Sequence, residues 1–448
     1  MTTLQFQLKR LALVMILTLA LGFGVRWSLA QATTDVTPSS ALISVDQRLI
    51  TSAPLTDTLA YTTYLPLVSR HYPNVTEFRG LWVTRFDWTF FGRSVTTTDL
   101  DTIVNNAASA HFNALLFQVR GTADAFYSSA LEPWAARLTG QTTKTLGVDP
   151  GWDPLTYMIT RAHASGLQVH AYVNMLPTWL CNVGAPTTTV PSHLFWTLSH
   201  STTWSAWRVH SAPDTPQSIA TCSDYLWATP ALSLTRDHIT AVAADIVNRY
   251  DVDGLHIDLI RYPGSGYSYD PFTMAAFSEA LQISPSLTIT DWRPGFQRAQ
   301  INQLVLQVYS AVTALKPDLL VSAAVWPNYA DGYSGFYQDS KAWLADGYMD
   351  ANMPMLYTSD ILNDLDKWIT RTQGFLNDAH GRWVIPGISG AYTETTPLFD
   401  RINAARSMGA PGVAIFSYSG LNAGNFWDDL ANGPFAVPAL VPKPAWKP

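Results

Sequence analysis

The sequence predicts an α/β protein built around a (β/α)8 barrel, the TIM-barrel class. Eight short apolar segments alternate with helical patterns between residues 76 and 432, and no second linker interrupts them. Such alternation over this length is typical of one large barrel domain. The alternative is a doubly wound open sheet, but the Gly-x-Gly-x-x-Gly turn that often follows the first strand of such a sheet is absent.

The individual elements follow from this alternation. The apolar segments predict strands over 80–85, 114–120, 167–174, 254–260, 319–326, 351–357, 383–389 and 412–418. The intervening patterns predict helices over 99–110, 153–165, 236–250, 301–315, 338–346, 361–372 and 397–408. Several helices begin at a start signal, such as Asp153-Pro154, and several end at a glycine, such as Gly166 or Gly409.

Composition excludes some classes of protein. The 448 residues are 47% hydrophobic and 14% charged, with a net charge of −7, so most of the chain can build a core. No basic stripe is visible, and nucleic-acid binding is therefore not expected. The 17 Trp, 19 Tyr and 19 Phe are many for so weakly charged a chain. Aromatic planes suit the apolar faces of sugar rings, although each ring can equally serve core packing.

The first 30 residues have the pattern of a secretory signal peptide. Lys9 and Arg10 precede an apolar run over 11–25, and Ser28-Leu29-Ala30 forms a small-x-small cleavage site. The run is short for a membrane span, so cleavage would leave no span, and an uncleaved anchor is the alternative. We expect a secreted or envelope protein located outside the cytoplasm.

Two proline-containing segments flank the predicted barrel domain of residues 76–432. Residues 31–75 contain 17 Thr, Ser or Pro residues and five charged ones, without sustained helical or strand periodicity, which predicts a tether. Residues 433–448 form a second proline-rich segment, a C-terminal tail.

The stretch 175–235 is too long for an ordinary loop after the third strand, and it holds both cysteines of the chain, Cys181 and Cys222. In an exported protein, two cysteines without metal-ligand spacing favour one disulfide, and two buried free thiols are the alternative. The sequence therefore predicts a stapled insertion over the active face of the barrel.

Strand alternation predicts a polar cluster inside the barrel. In strand four, Leu255, Ile257 and Leu259 form the apolar set that faces the helices. The opposite sets of strands two to four include polar side chains: Gln118, Arg120, His170, Tyr172, Asn174, His256 and Asp258. A lumen filled for packing alone would be apolar, so this cluster needs polar partners or a ligand.

Longer segments resemble the glycosyl hydrolase-like 10 family. They are EFRGLWVTR (77–85), FNALLFQVRGTADAFYSS (112–129), EPWAARLTG (132–140), DPLTYMITRAHASGLQVHAYVN (153–174) and VDGLHIDLIRYP (252–263), followed by 351–357 and 412–418. The resemblance implies a TIM barrel, an exported or envelope location, and hydrolysis of glycosidic bonds in bacterial glycans, including cell-wall strands. Many members carry a second acidic residue after the fourth-strand aspartate, where this chain has Leu259.

Glycoside hydrolysis normally needs two carboxyl groups that flank the scissile bond. Asp258 is the first candidate, and the alternative for it is a structural ion pair with Arg120 or Arg261, or a hydrogen bond to His256. Asp124 is the preferred partner because it follows strand two and matches a position of the family that the chain resembles. Glu394, which follows strand seven, is the other candidate. Asp87, Asp331 and Asp360 also follow strands.

The remaining candidates would bind the sugar. The polar ones are Arg85, Gln118, Arg120, His170, Tyr172, Asn174, His256 and Arg261, and the aromatic ones at strand ends are Trp326, Tyr357 and Tyr418. No HExxH, P-loop or Gly-x-Ser-x-Gly motif is present, so we expect neither metal nor cofactor, and a poly- or oligosaccharide as the partner. A non-catalytic glycan-binding barrel is the main alternative, and a metal-dependent polysaccharide deacetylase is disfavoured.

Overall fold

The computed structural model describes residues 75–283 and 295–448. The predicted signal peptide, and the predicted tether except for Val75, lie outside the described residues.

The strands, numbered in chain order, are β1 (Val75–Thr76), β2 (Phe78–Val83), β3 (Ala114–Arg120), β4 (Gln168–Asn174), β5 (Pro177–Leu180), β6 (His210–Ala212), β7 (Thr215–Pro216), β8 (Tyr225–Trp227), β9 (Gly254–Asp258), β10 (Leu320–Val325), β11 (Ala351–Pro354), β12 (Trp383–Val384), β13 (Gly387–Ser389), β14 (Gly412–Phe416) and β15 (Ala439–Leu440).

The α-helices are α1 (Arg85–Trp88), α2 (Thr97–Ser109), α3 (Pro154–Ala164), α4 (Leu194–Ser201), α5 (Ser233–Arg249), α6 (Pro271–Ile283), α7 (Gln297–Leu315), α8 (Tyr329–Gly335), α9 (Ser340–Ala345), α10 (Leu365–Asn377), α11 (Thr396–Ser407), α12 (Tyr418–Gly424) and α13 (Trp427–Asn432). All seven predicted helices are present. Six further helices were not expected from the sequence: α1, α4, α6, α8, α12 and α13.

A parallel sheet with the strand order β12-β11-β10-β9-β4-β3-β2-β14-β13 forms the core of the fold. Its two outermost members, β12 and β13, are halves of one strand that Ile385 and Pro386 interrupt. The first half pairs with β11 and the second with β14, so the sheet closes on itself. The predicted (β/α)8 barrel is confirmed, and its seventh strand is the one that is split.

Alternation along the strands creates two apolar layers. Leu115, Phe117 and Leu255 point outward and pack in the large core between sheet and helices. Trp82 and Leu116 point inward and belong to a smaller cluster inside the barrel. Because successive side chains of a strand face opposite sides, one run of residues supplies both layers.

Helix α3 shows how local sequence fixes the boundaries of the helical layer. Its N-cap Asp153 accepts hydrogen bonds from the amides of Leu155 and Thr156 at 3.0 and 3.1 Å. Pro154 occupies the first helical position, where no amide hydrogen is needed. The chain leaves the helix through Gly166, whose φ of +75° suits glycine.

The predicted insertion after the third barrel strand is a small substructure with its own core. The antiparallel pairs β5–β8 and β6–β7 lie within it. Trp179, Phe195 and Trp207 form part of its separate hydrophobic cluster. Cys181 and Cys222 are joined, with their Cα atoms 5.6 Å apart. The predicted disulfide is confirmed.

The proline-rich C-terminal tail packs against the amino end of the barrel. β15 pairs in parallel with β1, and Phe435 is fully buried. Near the chain end, Trp446 donates to Asp350 at 2.7 Å, and Lys447 forms an ion pair with the same carboxylate at 2.8 Å. The tail therefore closes the end of the barrel that lies opposite the strand C-termini.

Among residues 75–283 and 295–448, no helix combines the length and the apolar character that a bilayer span requires.

Candidate active site

Asp258 is the last residue of β9, and its side chain is 13% exposed at the carboxyl end of the barrel. The Tyr172 hydroxyl donates to its Oδ2 at 2.6 Å, and the Leu259 amide donates to Oδ1 at 2.6 Å. The Arg261 guanidinium lies 3.5 Å from Oδ1. Three donors thus converge on one carboxylate at the end of the fold where barrel enzymes place their chemistry.

The residue after Asp258 adopts an unusual backbone conformation. Leu259 has φ of +52°, in the left-handed region that costs a non-glycine residue about 1–2 kcal/mol. Its side chain packs partly buried against the outer core rather than toward the lumen. Leu259 stands where many members of the family that the chain resembles have an acid, so this strand offers no second carboxyl group next to Asp258.

Aromatic rings surround the Asp258 carboxylate. Tyr357 stacks on Phe416 with centroids 4.6 Å apart, and Trp82 meets both rings edge-on at 6.0 Å. Burial, reinforced by the negative charge of Asp258, raises the pKa of the Tyr172 and Tyr357 phenols well above the usual range. Both hydroxyls therefore stay protonated near neutral pH.

His256 lies one layer below Asp258 and is fully buried. Trp82 Nε1 donates to its Nε2 at 2.9 Å, so the proton of the neutral ring resides on Nδ1, which is 2.9 Å from Ser322 Oγ. Burial lowers the pKa of His256 to about 3. His256 therefore supports Trp82 from beneath as a neutral ring and has no exposed surface for a sugar.

Gln118 and Asn174 connect the ends of the first three barrel strands. The Arg85 amide donates to Gln118 Oε1 at 2.8 Å, and Gln118 Nε2 donates to Asn174 Oδ1 at 3.1 Å. Asn174 Nδ2 then donates to the carbonyl of Gly121 at 3.1 Å. These buried amides use their capacity on protein groups, so they position the neighbouring turns. The Arg85 guanidinium donates to the Tyr225 hydroxyl of the insertion at 2.8 Å.

Asp124 lies beside Arg85 in the loop after β3. Its Oδ1 accepts from the Thr122 amide at 2.6 Å. A Cβ on Gly121 would be 3.0 Å from this oxygen and 3.2 Å from the Arg85 side chain, so glycine allows the two groups to approach. Burial raises the pKa of Asp124, and the hydrogen bond from the Thr122 amide, followed by the Arg85 charge, counters this only in part. Burial therefore shifts this carboxyl group toward its protonated form.

Arg120 holds a buried ion pair beside the site. It binds Glu132 through two hydrogen bonds of 2.8 and 2.6 Å, and it also donates to the carbonyls of Asn174 and Met175. Although burial favours the neutral acid, Arg120 and His238 hold the pKa of Glu132 at about 2. The suggested pair between Arg120 and Asp258 is wrong, since Arg120 is saturated by Glu132 and backbone carbonyls.

Comparison with known proteins gives the family. Residues 77–372 match the model of the glycosyl hydrolase-like 10 family. The chain belongs to this family.

Curated relatives agree with this assignment. The chain is 28% identical over 421 residues to glycosyl hydrolase YngK of Bacillus subtilis. The aligned region covers 83% of this chain and 74% of YngK. It is 28% identical over 317 residues to glycosyl hydrolase DigH of Escherichia coli, which covers 62% of this chain and 65% of DigH, slightly less than two thirds of its length.

Two solved structures share the fold at low sequence identity. The glycoside hydrolase domain of PgaB (BpsB) from Bordetella bronchiseptica superposes with a TM-score of 0.58 at 13% identity, covering 82% of this chain and 100% of that one. An alpha-L-fucosidase from Paenibacillus thiaminolyticus superposes with a TM-score of 0.54 at 14% identity, covering 79% and 48%. The barrel of this family member is thus a fold used by glycoside hydrolases.

Within this glycosyl hydrolase-like 10 barrel, two predicted binding residues lie away from Asp258. His170 is fully buried at the level of Gly254, where any Cβ would be 2.2 Å from its ring, and burial lowers its pKa to about 4. Tyr418 lies among the helices, where its hydroxyl accepts from Asn106 at 2.9 Å and its ring packs on Trp427. Both residues have packing roles, so the prediction that they bind sugar is wrong.

Trp326 borders the site through Arg261. Its ring stacks on Phe336 at a centroid distance of 3.8 Å, and the Arg261 guanidinium lies 5.4 Å from it. Trp326 is half-buried, which leaves part of its surface accessible beside the Asp258 carboxylate.

The other carboxyl groups that follow strands differ from Asp258 in their surroundings. Glu394 is exposed, without a hydrogen bond or ion pair to a described residue. Asp360 is exposed, and hydrogen bonds from Lys367 and, to a lesser extent, Thr358 hold its pKa at about 2. Asp87 caps α1 and accepts from the Ser419 amide at 3.1 Å, and Asp331 accepts from a nearby asparagine. No donors converge on Glu394 as they do on Asp258.

Three residues of the site were not among those predicted from the sequence. Trp82 and Phe416 face the lumen from the first and eighth strands, and the alternation argument that found Tyr172 would have found them had it been applied to those strands. Tyr225 reaches Arg85 from the insertion, where no periodic pattern gives a signal.

Within the described part of the chain, no group of three or more His, Cys, Asp or Glu side chains is arranged to hold a metal ion.

Proposed function

We propose that this protein is an exported glycoside hydrolase that cleaves glycosidic bonds of a bacterial polysaccharide, with cell-wall glycan as the first substrate to test. The observation that carries the proposal is the Asp258 carboxylate, on which three donors converge at the carboxyl end of the barrel. Family membership supports the reaction class, and the N-terminal signal pattern supports export.

The two carboxyl groups take complementary roles in this proposal. Asp124, whose pKa burial raises, donates a proton to the glycosidic oxygen of the leaving sugar. Asp258, as the carboxylate, faces the anomeric carbon, where positive charge develops in the transition state. Water completes the reaction by adding its hydroxyl to the anomeric carbon, and its proton restores the acid.

The surrounding side chains bind and orient the sugar. Arg85 presents guanidinium donors beside Asp124, and Arg261 presents them 3.5 Å from Asp258. Tyr357 and Trp326 offer half-buried ring faces against which a pyranose can pack. Tyr172 fixes the orientation of Asp258 and is therefore a positioning residue.

The decisive experiment compares the mature protein with its Asp258→Asn variant on peptide-free cell-wall glycan strands, with new reducing ends as the readout. We expect turnover to fall at least about a thousandfold, which corresponds to about 4 kcal/mol of barrier. Melting temperature and glycan binding should be retained because the amide has nearly the volume of the carboxylate.

Asp331→Asn is the matched control, because this exposed aspartate also follows a barrel strand but lies outside the donor cluster. Near-normal turnover in a folded Asp258→Asn protein would contradict the catalytic assignment.

A non-catalytic glycan-binding barrel is the second candidate, and Leu259 at the position of the family's second acid favours it. Retention of glycan by the wild-type protein, without any new reducing ends, would establish that reading instead.

A further inference from the structure

Three phenylalanines near the carboxyl end of β2 are exposed. Phe86, Phe90 and Phe91, which we call the aromatic rim, are 57%, 36% and 71% exposed. Among the described residues, the other large exposed aromatic ring is Trp204 in the insertion. A cluster of exposed apolar rings on a water-facing loop marks a binding surface more often than a packing accident.

Arginine side chains hold the rings of the aromatic rim in place. Arg137 lies 4.7 Å from the centroid of Phe86 and 4.8 Å from that of Phe91. Arg93 lies 3.8 Å from the centroid of Phe90. Each cation–ring contact favours one position of its ring. The rings are ordered while much of their surface stays open.

The arginines are themselves fixed. Arg137 donates to the hydroxyl of Thr89 at 2.8 Å and to its carbonyl at 3.2 Å. Arg93 binds Asp99 through two hydrogen bonds of 2.8 and 2.6 Å. A preorganised surface loses little conformational entropy when a ligand binds.

The backbone of the rim loop is also anchored. The Gly92 amide donates to the carbonyl of Gly140 at 2.9 Å, and the Val95 amide donates to that of Leu138 at 3.0 Å. A Cβ at Gly140 would lie 2.5 Å from the backbone of Arg93, so the two segments touch.

The aromatic rim continues directly into the candidate active site. The Arg85 guanidinium lies 4.3 Å from the centroid of Phe86 and also donates to Tyr225. The same side chain lies beside Asp124 across Gly121. Arg85 therefore links the aromatic rim to the Asp124 side of the candidate active site.

We propose that the aromatic rim binds sugar rings of the polysaccharide beyond the bond that is cleaved, so that the protein acts preferentially on long glycan strands. The inference rests on the proposed function. Aromatic faces pack on the apolar faces of pyranose rings, and the arginine N–H groups around them donate to hydroxyls. Continuity with the Arg85 and Asp124 pair favours a glycan over a second protein or a lipid surface.

The test uses the Phe90→Ala/Phe91→Ala variant of the mature chain, since Phe86 contacts Arg85. The readout is the ratio of kcat/KM on long peptide-free glycan strands to kcat/KM on tetrasaccharides from the same strands. We expect this ratio to fall at least about tenfold. Leu306→Ala, which removes an exposed apolar side chain from α7, should leave the ratio unchanged.

A binding measurement separates this inference from the proposed function. In the Asp258→Asn background, retention on insoluble cell-wall glycan should weaken at least about tenfold when the rim is truncated. Unchanged glycan retention together with an unchanged ratio of the two kcat/KM values would overturn the proposal that the aromatic rim binds glycan. If the wild-type protein cleaves no glycan, the proposed function fails. Retention on insoluble glycan then decides by itself whether the aromatic rim binds glycan.

Two further outcomes would contradict the inference. Sedimentation that shows altered self-association without altered glycan retention would make the rim an interface between copies. Binding to phosphatidylglycerol vesicles that depends on Phe90 and Phe91, with glycan retention unchanged, would make it a lipid contact.

Discussion

The hydrogen bond between Tyr172 and Asp258 offers the sharpest test of how the site works. Tyr172→Phe removes one hydroxyl and keeps a ring that is buried and meets His256 edge-on at 5.3 Å. The barrel should therefore keep its fold. What changes is the donor set of Asp258, which is left with the Leu259 amide and the more distant Arg261.

The expected size of the effect follows from the nature of this bond. At 2.6 Å it is a short bond to a carboxylate, and bonds to charged groups contribute about 1.5–3 kcal/mol. If the whole of that is lost from the transition state, turnover falls roughly ten- to a hundredfold. Without the Tyr172 hydroxyl, the Asp258 carboxylate also samples more orientations, which lowers kcat rather than raising KM.

The assay is kcat and KM for reducing-end release, with the melting temperature measured on the same preparation. Tyr418→Phe is the matched control, because it also loses one hydrogen bond, to Asn106, but lies among the helices. The control should lose about 1 kcal/mol of stability and keep its turnover. Turnover of Tyr172→Phe within twofold of wild type would refute the positioning role.

Three further predictions concern protons and the disulfide. Asp124→Asn should lower turnover at least about a hundredfold and abolish the loss of activity at high pH, since burial raises the pKa of the native acid; an unchanged pH profile would exclude it as proton donor. Burial lowers the pKa of His170 and His256 from 6.5 to about 4 and about 3, so below pH 6.5 the unfolded chain binds protons that the folded chain refuses. The two buried rings therefore contribute fully to stability above pH 6.5, and the free energy of unfolding should fall by about 2 kcal/mol per ring by about pH 5. Urea unfolding above pH 6.5 and at pH 5 measures this difference, and equal free energies of unfolding would contradict the prediction. Reduction of the bond between Cys181 and Cys222, which are 41 residues apart, should cost roughly 4 kcal/mol in urea unfolding, whereas equal midpoints with and without reductant would show that it does not stabilise the fold.

The barrel was predictable because its strands are short apolar runs with strict alternation. The same rule placed Asp258 and Tyr172 in one polar cluster inside the barrel, and in the structure residues 172 and 174 pair in register with 256 and 258 across β4 and β9. It failed at Tyr418 because β14 ends at Phe416 and residue 418 already begins α12, so its side chain follows helical geometry.

Loop contacts were beyond the reach of periodicity. Arg120 was expected to meet the substrate or Asp258, yet its partner is Glu132, twelve residues further along a loop that shows no regular pattern.

The alternation rule placed His170 inside the barrel correctly but could not give its height along the barrel axis. The register with Gly254 sets that height and puts the ring near the amino end.

The replacement of the family's second acid by Leu259 need not deprive the site of a pair of carboxyl groups. Asn174 pairs in register with Asp258 and donates to the carbonyl of Gly121, and Gly121 in turn lies against Asp124. A continuous chain of contacts thus joins the two carboxyl groups across three strands. Their environments differ in the direction that the proposed acid and base roles require: donors converge on Asp258, whereas burial raises the pKa of Asp124. The division of labour is therefore set by the surroundings of each group, and Leu259 can serve the site through its backbone amide alone.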